Sequence, residues 1–423
     1  MHAYLAPSLR EALLDTPFAP RTRIEPGEAD DWCALHAKEY ARSVIFTSDT
    51  DLLLYSYLAE TLVVFFQDAD VSAGFKSYSP EQIRKQLKLD NLTQFAFAIT
   101  REPSHTSEDL LRDARTLDLS SDTFLEFSGR YAGRTSVPSY IEKDGNQSLS
   151  LQNLDVRVSE FVHQALNKTP TPQVYLPLLV EDPNQSSAWS SGQDYRILAY
   201  SILASGTSTI HEYRRKAQGI SVQELHLQTA DLSSSDMVAH IAGVSKWAID
   251  RDLAPEMMWP LFALSIVLLD SKTTPPIPVV LQILNGEFDN SWEFIHLTAR
   301  LQAVLYSLRM LQQIIAVHQA MHNNTLAVDD ILKQMADYLA NMPSIADTFT
   351  VPGQSKRLLA EHERLRNMVE EIYIASGIEI PTEHISSKKK KKQSREAERK
   401  KKKQEQRQQA KTHVSNPYSM LQG

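Results

Sequence analysis

Four carboxylates near the start of the chain recur in phase. Glu28 and Asp30 lie in Gly27-Glu28-Ala29-Asp30, and Asp49 and Asp51 lie in Thr47-Ser48-Asp49-Thr50-Asp51; the interval from Glu28 to Asp49 is repeated from Asp30 to Asp51. Carboxylates are hard oxygen donors, and a cluster of them holds Mg2+ or Mn2+ against a phosphate. The chemistry open to such a set is metal-assisted reaction at a phosphate, with all four side chains as candidate metal ligands and therefore as candidate catalytic groups. The competing reading makes Glu28 and Asp30 ordinary first-turn helix charges and makes Asp49 and Asp51 a solvated strand exit. The shared phase of the two pairs favours the metal site.

The elements that would position these groups follow from hydrophobic patterning. Residues 28–41 are predicted to form an amphipathic helix, with Trp32, Cys33, His36, Ala37 and Tyr40 on its buried face. Val44-Ile45-Phe46 is predicted to be a buried strand, so Asp49 and Asp51 would lie beyond its carboxyl end, where open α/β sheets gather ligands. Leu62-Val63-Val64-Phe65-Phe66 reads as the next strand, and Asp68 and Asp70 after it are candidate substitute ligands. Lys76, Arg84, Lys85 and Lys88 follow; they read better as a solvated helix face than as a phosphate-contacting patch.

These stretches together resemble the internal acidic region of the XPG/flap-endonuclease superfamily of PIN-like nucleases, and the wording is most similar to the fungal asteroid-type XPG-domain proteins. Tyr78-Ser79-Pro80-Glu81-Gln82-Ile83, Leu154 to Glu160, Val174 to Leu179 and Ala188 to Ser201 also resemble that group, so the likeness extends over about residues 20–220. It implies a PIN-like parallel sheet, a Mg2+ or Mn2+ cofactor held by Glu28, Asp30, Asp49 and Asp51, and a nucleic-acid substrate. Two departures stand out. The family's Met-Gly-led first strand with its early Asp has no counterpart before Glu28, so the domain is expected to be N-terminally incomplete. The region matching a family Gly-x-Asp-Tyr stretch reads Phe95 to His105 and contains no Asp.

The expected architecture is therefore α/β: a partial XPG/PIN-like domain over 1–105, a mainly helical region over 106–380 and a disordered Lys/Arg-rich tail over 381–423. Helical spacing is predicted near 107–117, 154–167, 190–206, 235–250, 256–271, 291–321, 325–340 and 355–376. Leu297, Leu301, Val304, Leu305, Leu308 and Ile315 form one stripe, with Arg300 and Arg309 off it. Leu9, Leu13 and Leu14 suggest a further helical stripe. Prolines at 170 and 172 and at 275, 276 and 278 mark predicted linkers.

Composition narrows the class. The chain has 423 residues, ordinary hydrophobic content at 42% and a single cysteine, Cys33, which excludes an internal disulfide framework and fits a reducing compartment. No secretory signal pattern begins the sequence, and the most apolar run, Leu261–Leu269, is too short to span a bilayer, which takes about 20 residues. The glycines form neither a Walker nor a dinucleotide pattern. His318 and His322 are four positions apart but lack a third zinc ligand, and Cys33 with His36 reads as core packing.

Net charge is −8, yet Lys388 to Lys411 holds thirteen Lys and Arg against three Glu, a local +10 that leaves −18 for the remainder. An acidic body repels phosphate unless a metal intervenes. The blocks Lys388, Lys389, Lys390, Lys391, Lys392 and Arg399, Lys400, Lys401, Lys402, Lys403 suit nuclear import factors or nucleic-acid phosphates, which points to a nuclear protein, otherwise a cytoplasmic one, not secreted and without a membrane partner. Two functions remain open: metal-dependent hydrolysis of structured nucleic acid, weakened or lost through the two departures, or a catalytically inactive nuclear scaffold that binds nucleic acid or protein.

Overall fold

In the computed structural model, residues 3–22, 24, 28–132, 154–204, 206–227, 230–271, 273–322, 328–349, 353 and 362–381 are described. The basic blocks around Lys388–Lys392 and Arg399–Lys403 lie outside them.

β-Branched and aromatic residues build the first sheet. β1 (Val44–Thr47) and β2 (Leu62–Phe65) run parallel, with Val44 opposite Leu62 and Thr47 opposite Phe65. α2 (Ala29–Glu39) precedes β1 in the chain and is itself preceded by α1 (Leu5–Leu14). Ala34 and Ala37 of α2 pack with Ile45, Leu52, Tyr55, Val63 and Phe65 in one small core. The buried face of α2 therefore differs from the expected one: Cys33, His36 and Tyr40 are exposed, and the His36 and Tyr40 rings lie 4.5 Å apart on the surface. Alanine has no bulk beyond Cβ, so the alanine face lets the helix approach the strands closely.

β1 alternates exposed and buried residues, and Phe46 meets Phe75 edge-on at 5.5 Å on the outer face. It is thus half-buried rather than buried on both sides. β3 (Ala69–Asp70) and β4 (Gly74–Phe75) form a short antiparallel pair beside it. Four helices follow: α3 (Pro80–Leu87), α4 (Thr93–Arg101), α5 (Ser107–Arg115) and α6 (Asp122–Gly129). Phe97, Phe124 and Phe127 link α4 to α6 through ring contacts of 5.5 and 5.3 Å. Arg84 and Lys85 both pair with Glu81, at 2.8 and 3.1 Å, and these cations pull the Glu81 carboxyl down to about 2.

The larger core is helical: α7 (Val156–Leu166), α8 (Gln193–Leu203), α9 (Ala230–Ile249), α10 (Pro255–Leu269), α11 (Ile277–Leu284), α12 (Trp292–His322), α13 (Val328–Leu339) and α14 (His362–Ala375). The expected stripe of α12 is buried throughout, and so are Ala303, Tyr306, Met310, Leu311 and Ile314, because neighbours pack around several of its faces. Arg300 and Arg309 are inward as well. Arg300 donates to Ser191 Oγ at 2.9 Å and Ser271 Oγ at 2.7 Å, and Arg309 pairs with Glu11 of α1. α1 is held by that pair and by Tyr4, which is fully buried and stacks on Phe349 at 3.9 Å. The expected leucine stripe of α1 faces outward instead, with Leu9 and Leu14 exposed.

A second sheet, not foreseen in the sequence, is inserted between α7 and α9. β5 (Gln173–Tyr175) pairs in parallel with β6 (Thr209–Lys216), which forms an antiparallel hairpin with β7 (Gly219–His226). Its inner face holds an ionic cluster sealed from solvent. Arg196 of α8 donates from Nε and Nη2 to Glu212 of β6 at 2.7 and 3.0 Å, from Nη1 to Ser307 Oγ of α12 at 2.8 Å and from Nη2 to the Trp189 carbonyl at 2.7 Å. The Tyr200 hydroxyl adds a 2.8 Å bond to Glu212. α8 and α12 can approach here because Gly192, with φ +75°, starts α8; a Cβ there would meet Val304 Cα at 3.0 Å. Prolines 275 and 276 do lie outside a helix, but Pro278 falls in the first turn of α11, where its missing N–H has no intrahelical partner to lose.

Candidate functional site

β1 delivers two of the four carboxylates. Its chain leaves the sheet at Thr47, whose Oγ1 accepts the Asp49 N–H at 2.9 Å, and enters a single 3-10 turn over Thr50–Leu53. Asp49 caps that turn by accepting the Asp51 N–H on Oδ1 at 2.9 Å. A short polar side chain in this place satisfies a backbone donor that the turn leaves unpaired. Leu52, directly after Asp51, is buried and anchors the turn to the small core, leaving Asp49 and Asp51 exposed at the carboxyl end of β1.

α2 delivers the other two. Glu28 occupies the position just before the first helical residue and makes no side-chain capping bond; Asp30 and Asp31 follow in the first turn. Glu28 is exposed and Asp30 half-buried. Burial raises the Asp30 carboxyl above the ordinary aspartate range, and the charges of Asp49, Glu28, Asp51 and Asp31 raise it further. The other three carboxylates singled out in the sequence therefore act on Asp30, where the loss of a proton is opposed by burial and by their charges.

Tyrosines surround this neighbourhood and fix parts of it. The Tyr55 hydroxyl donates to Asp31 Oδ1 at 2.9 Å, which turns Asp31 toward the core cluster. The Tyr131 hydroxyl, just past α6, donates to Asp51 Oδ2 at 3.1 Å. Tyr57 donates to the Leu52 carbonyl at 2.7 Å. Burial raises all three phenols, so they remain neutral donors. Sequence reasoning missed Asp31, Tyr55 and Tyr131. Tyr55 carried a weak signal, four residues past Asp51, whereas Tyr131 carried none, since its contact spans 80 positions.

The two candidate substitutes serve their own surroundings. Asp68 Oδ2 accepts from the Tyr78 hydroxyl at 2.9 Å. Asp70 Oδ1 accepts from Ser72 N and Oγ at 2.8 and 2.7 Å, and these bonds hold its carboxyl below the usual range. The stretch Phe95 to His105 is helix α4 and the turn after it, with Phe97 buried against α6. The His322 side chain, one half of the histidine pair, lies outside the described residues.

Carboxylates such as Glu28, Asp30, Asp49 and Asp51 are the donors a hard divalent cation takes, and the charges that add to burial in raising Asp30 are of the sign such a cation would relieve. Among the described residues, no three His, Cys, Asp or Glu side chains stand close enough to hold one ion as they are placed. Nor is any described helix long and apolar enough to cross a membrane. A family model described as XPG domain containing matches residues 1–227, which is more than half of the chain. No curated protein and no solved structure matches it.

Proposed function

Since this chain belongs to the XPG domain-containing family, we propose that it acts on structured nucleic acid by metal-dependent phosphodiester hydrolysis at Glu28, Asp30, Asp49 and Asp51. The observation that carries this reading is the placement of Asp49 and Asp51, exposed at the carboxyl end of β1, within electrostatic reach of Asp30 and Glu28 at the start of α2; burial raises the Asp30 carboxyl and the charges of the other three raise it further. Bound Mg2+ or Mn2+ would polarise the scissile phosphate and lower the pKa of an attacking water.

The residues of the chain prepare that chemistry. Asp49 is oriented by the Asp51 N–H and Asp51 by the Tyr131 hydroxyl, so two acceptors at the end of β1 are held at fixed directions. Tyr55 engages Asp31, the acid next to Asp30, through its hydroxyl. Uncompensated, four carboxylates repel a phosphate backbone, which makes substrate approach dependent on the cation. The basic blocks Lys388–Lys392 and Arg399–Lys403 supply the opposite charge and are assigned to nucleic-acid phosphates or nuclear import factors.

A second reading rests on the spacing of the acidic groups: no three are within coordinating distance among the described residues. It makes the chain a non-catalytic nuclear scaffold for nucleic acid or protein. Cleavage of flap-bearing and single-stranded substrates in Mg2+ or Mn2+ separates the two. Cleavage by the wild type that disappears in Asp49→Ala/Asp51→Ala supports the first; no cleavage by either supports the scaffold.

A further inference from the structure

The outer face of the second sheet carries an aromatic pair. Tyr175 of β5 and Tyr213 of β6 are register partners, and their rings stack with centroids 4.2 Å apart and planes 12° from parallel. Both hydroxyls reach Gln173 Oε1 at 3.4 Å. The buried side of this sheet is supplied by Val174, Ile210, Glu212 and Leu225, so the tyrosine pair lies on the opposite side. β5 is an edge strand, Tyr213 covers one face of Tyr175, and Tyr175 is still 57% exposed.

Packing and charge relate this face to the start of α2. Ile24, four residues before Glu28, is buried in a crevice lined by Leu154, Asp155 and Val156. The next residue, Arg157, donates from Nε to the Tyr175 carbonyl at 2.8 Å. Partial burial raises the Tyr175 hydroxyl, Tyr213 raises it further, and the Glu28 charge adds to both, so that carboxylate is within electrostatic reach of the ring.

We propose that Tyr175, backed by Tyr213 and flanked by Arg157, is a stacking platform for an unpaired base of a nucleic-acid strand that passes the carboxylates of α2 and β1. An aromatic ring with one supported face and one open face extends a base stack without reading sequence, because every base has a π-face. The neighbouring guanidinium matches the phosphate that accompanies such a base. The placement beside the carboxylates rests on the hydrolytic reading above; the stacking itself does not.

The test uses the full chain with Ca2+ in place of Mg2+, so that the strand stays intact, and measures anisotropy of a labelled oligothymidylate against an abasic oligonucleotide of equal length. Phosphate contacts, including those of the basic tail, are common to both strands, so the affinity ratio isolates the bases. The wild type is expected to prefer the base-bearing strand by about tenfold, the size of one base–aromatic stack. Tyr175→Ala should abolish the ratio and Tyr175→Phe should keep it, with melting temperatures showing that both variants fold. Equal binding of the two strands by the wild type, or a ratio that survives in Tyr175→Ala, overturns the platform. Asp49→Ala/Asp51→Ala separates the two claims: it should lose cleavage and retain the base preference. A Tyr175-dependent preference in a chain that never cleaves leaves the platform standing and removes hydrolysis; cleavage without the preference does the reverse.

Discussion

The hydroxyl of Tyr131 donates to Oδ2 of Asp51 at 3.1 Å, tying the end of the α6 segment to the acidic turn that follows β1. The same ring meets Tyr55 edge-on at 5.8 Å, and Tyr55 in turn holds Asp31. One aromatic cluster therefore sets the direction of two neighbouring acids.

If Asp51 is a metal ligand, Tyr131 is its positioning residue. Tyr131→Phe keeps the ring packing and removes the hydrogen bond. Mn2+ affinity is expected to fall about tenfold, the lower end of what loss of an outer-shell partner costs. Unchanged affinity, measured by calorimetry on the folded variant, would show that Asp51 is oriented without it.

Asp30 gives the pH dependence its sign. Its carboxyl is raised in the folded chain, so between the ordinary aspartate value and the raised one the folded state binds more protons than the unfolded state. Stability from this group is therefore present at low pH and declines as pH rises through that window. Asp30→Asn should raise the melting temperature of the metal-free protein at neutral pH, and the gain should shrink on acidification. A lower melting temperature at neutral pH would contradict the repulsion.

The buried ionic cluster of the second sheet makes a stability prediction. Neither Arg196 nor Glu212 reaches solvent, so Arg196→Met strips the buried carboxylate of its main cation and leaves it the Tyr200 hydroxyl and Arg214 at 3.9 Å. The expected loss is about 3–5 kcal/mol, read from urea denaturation midpoints. Arg196→Met/Glu212→Leu should recover much of it, because a matched apolar pair removes the orphaned charge. A single variant as stable as the wild type would assign the fold's coherence here to packing alone.

The same cluster explains what the sequence conceals. β6 alternates correctly, but its inward positions are Ile210 and Glu212, and the partner that makes Glu212 tolerable, Arg196, sits on another element. A search for alternating apolar residues passes over such a strand. β1 and β2 were legible because Val44, Ile45, Phe46 and Val63 to Phe65 are apolar and β-branched or aromatic. The long α12 was legible because its burial follows helical spacing over many turns. For α2, the helix was readable and its buried face was not: bulky residues suggested a core, and the structure buries the alanines. At the site, the four carboxylates were visible as a spacing pattern, while the tyrosines that orient Asp31 and Asp51 depend on contacts that only the folded chain creates.

The central claim is that Glu28, Asp30, Asp49 and Asp51 form one cation site, and calorimetric titration of the purified chain with Mn2+ tests it most directly. Saturable binding is expected, abolished in Asp49→Ala/Asp51→Ala and strongly weakened in Asp30→Asn. No binding by the wild type at millimolar Mn2+, or equal binding by the wild type and the double variant, would contradict it.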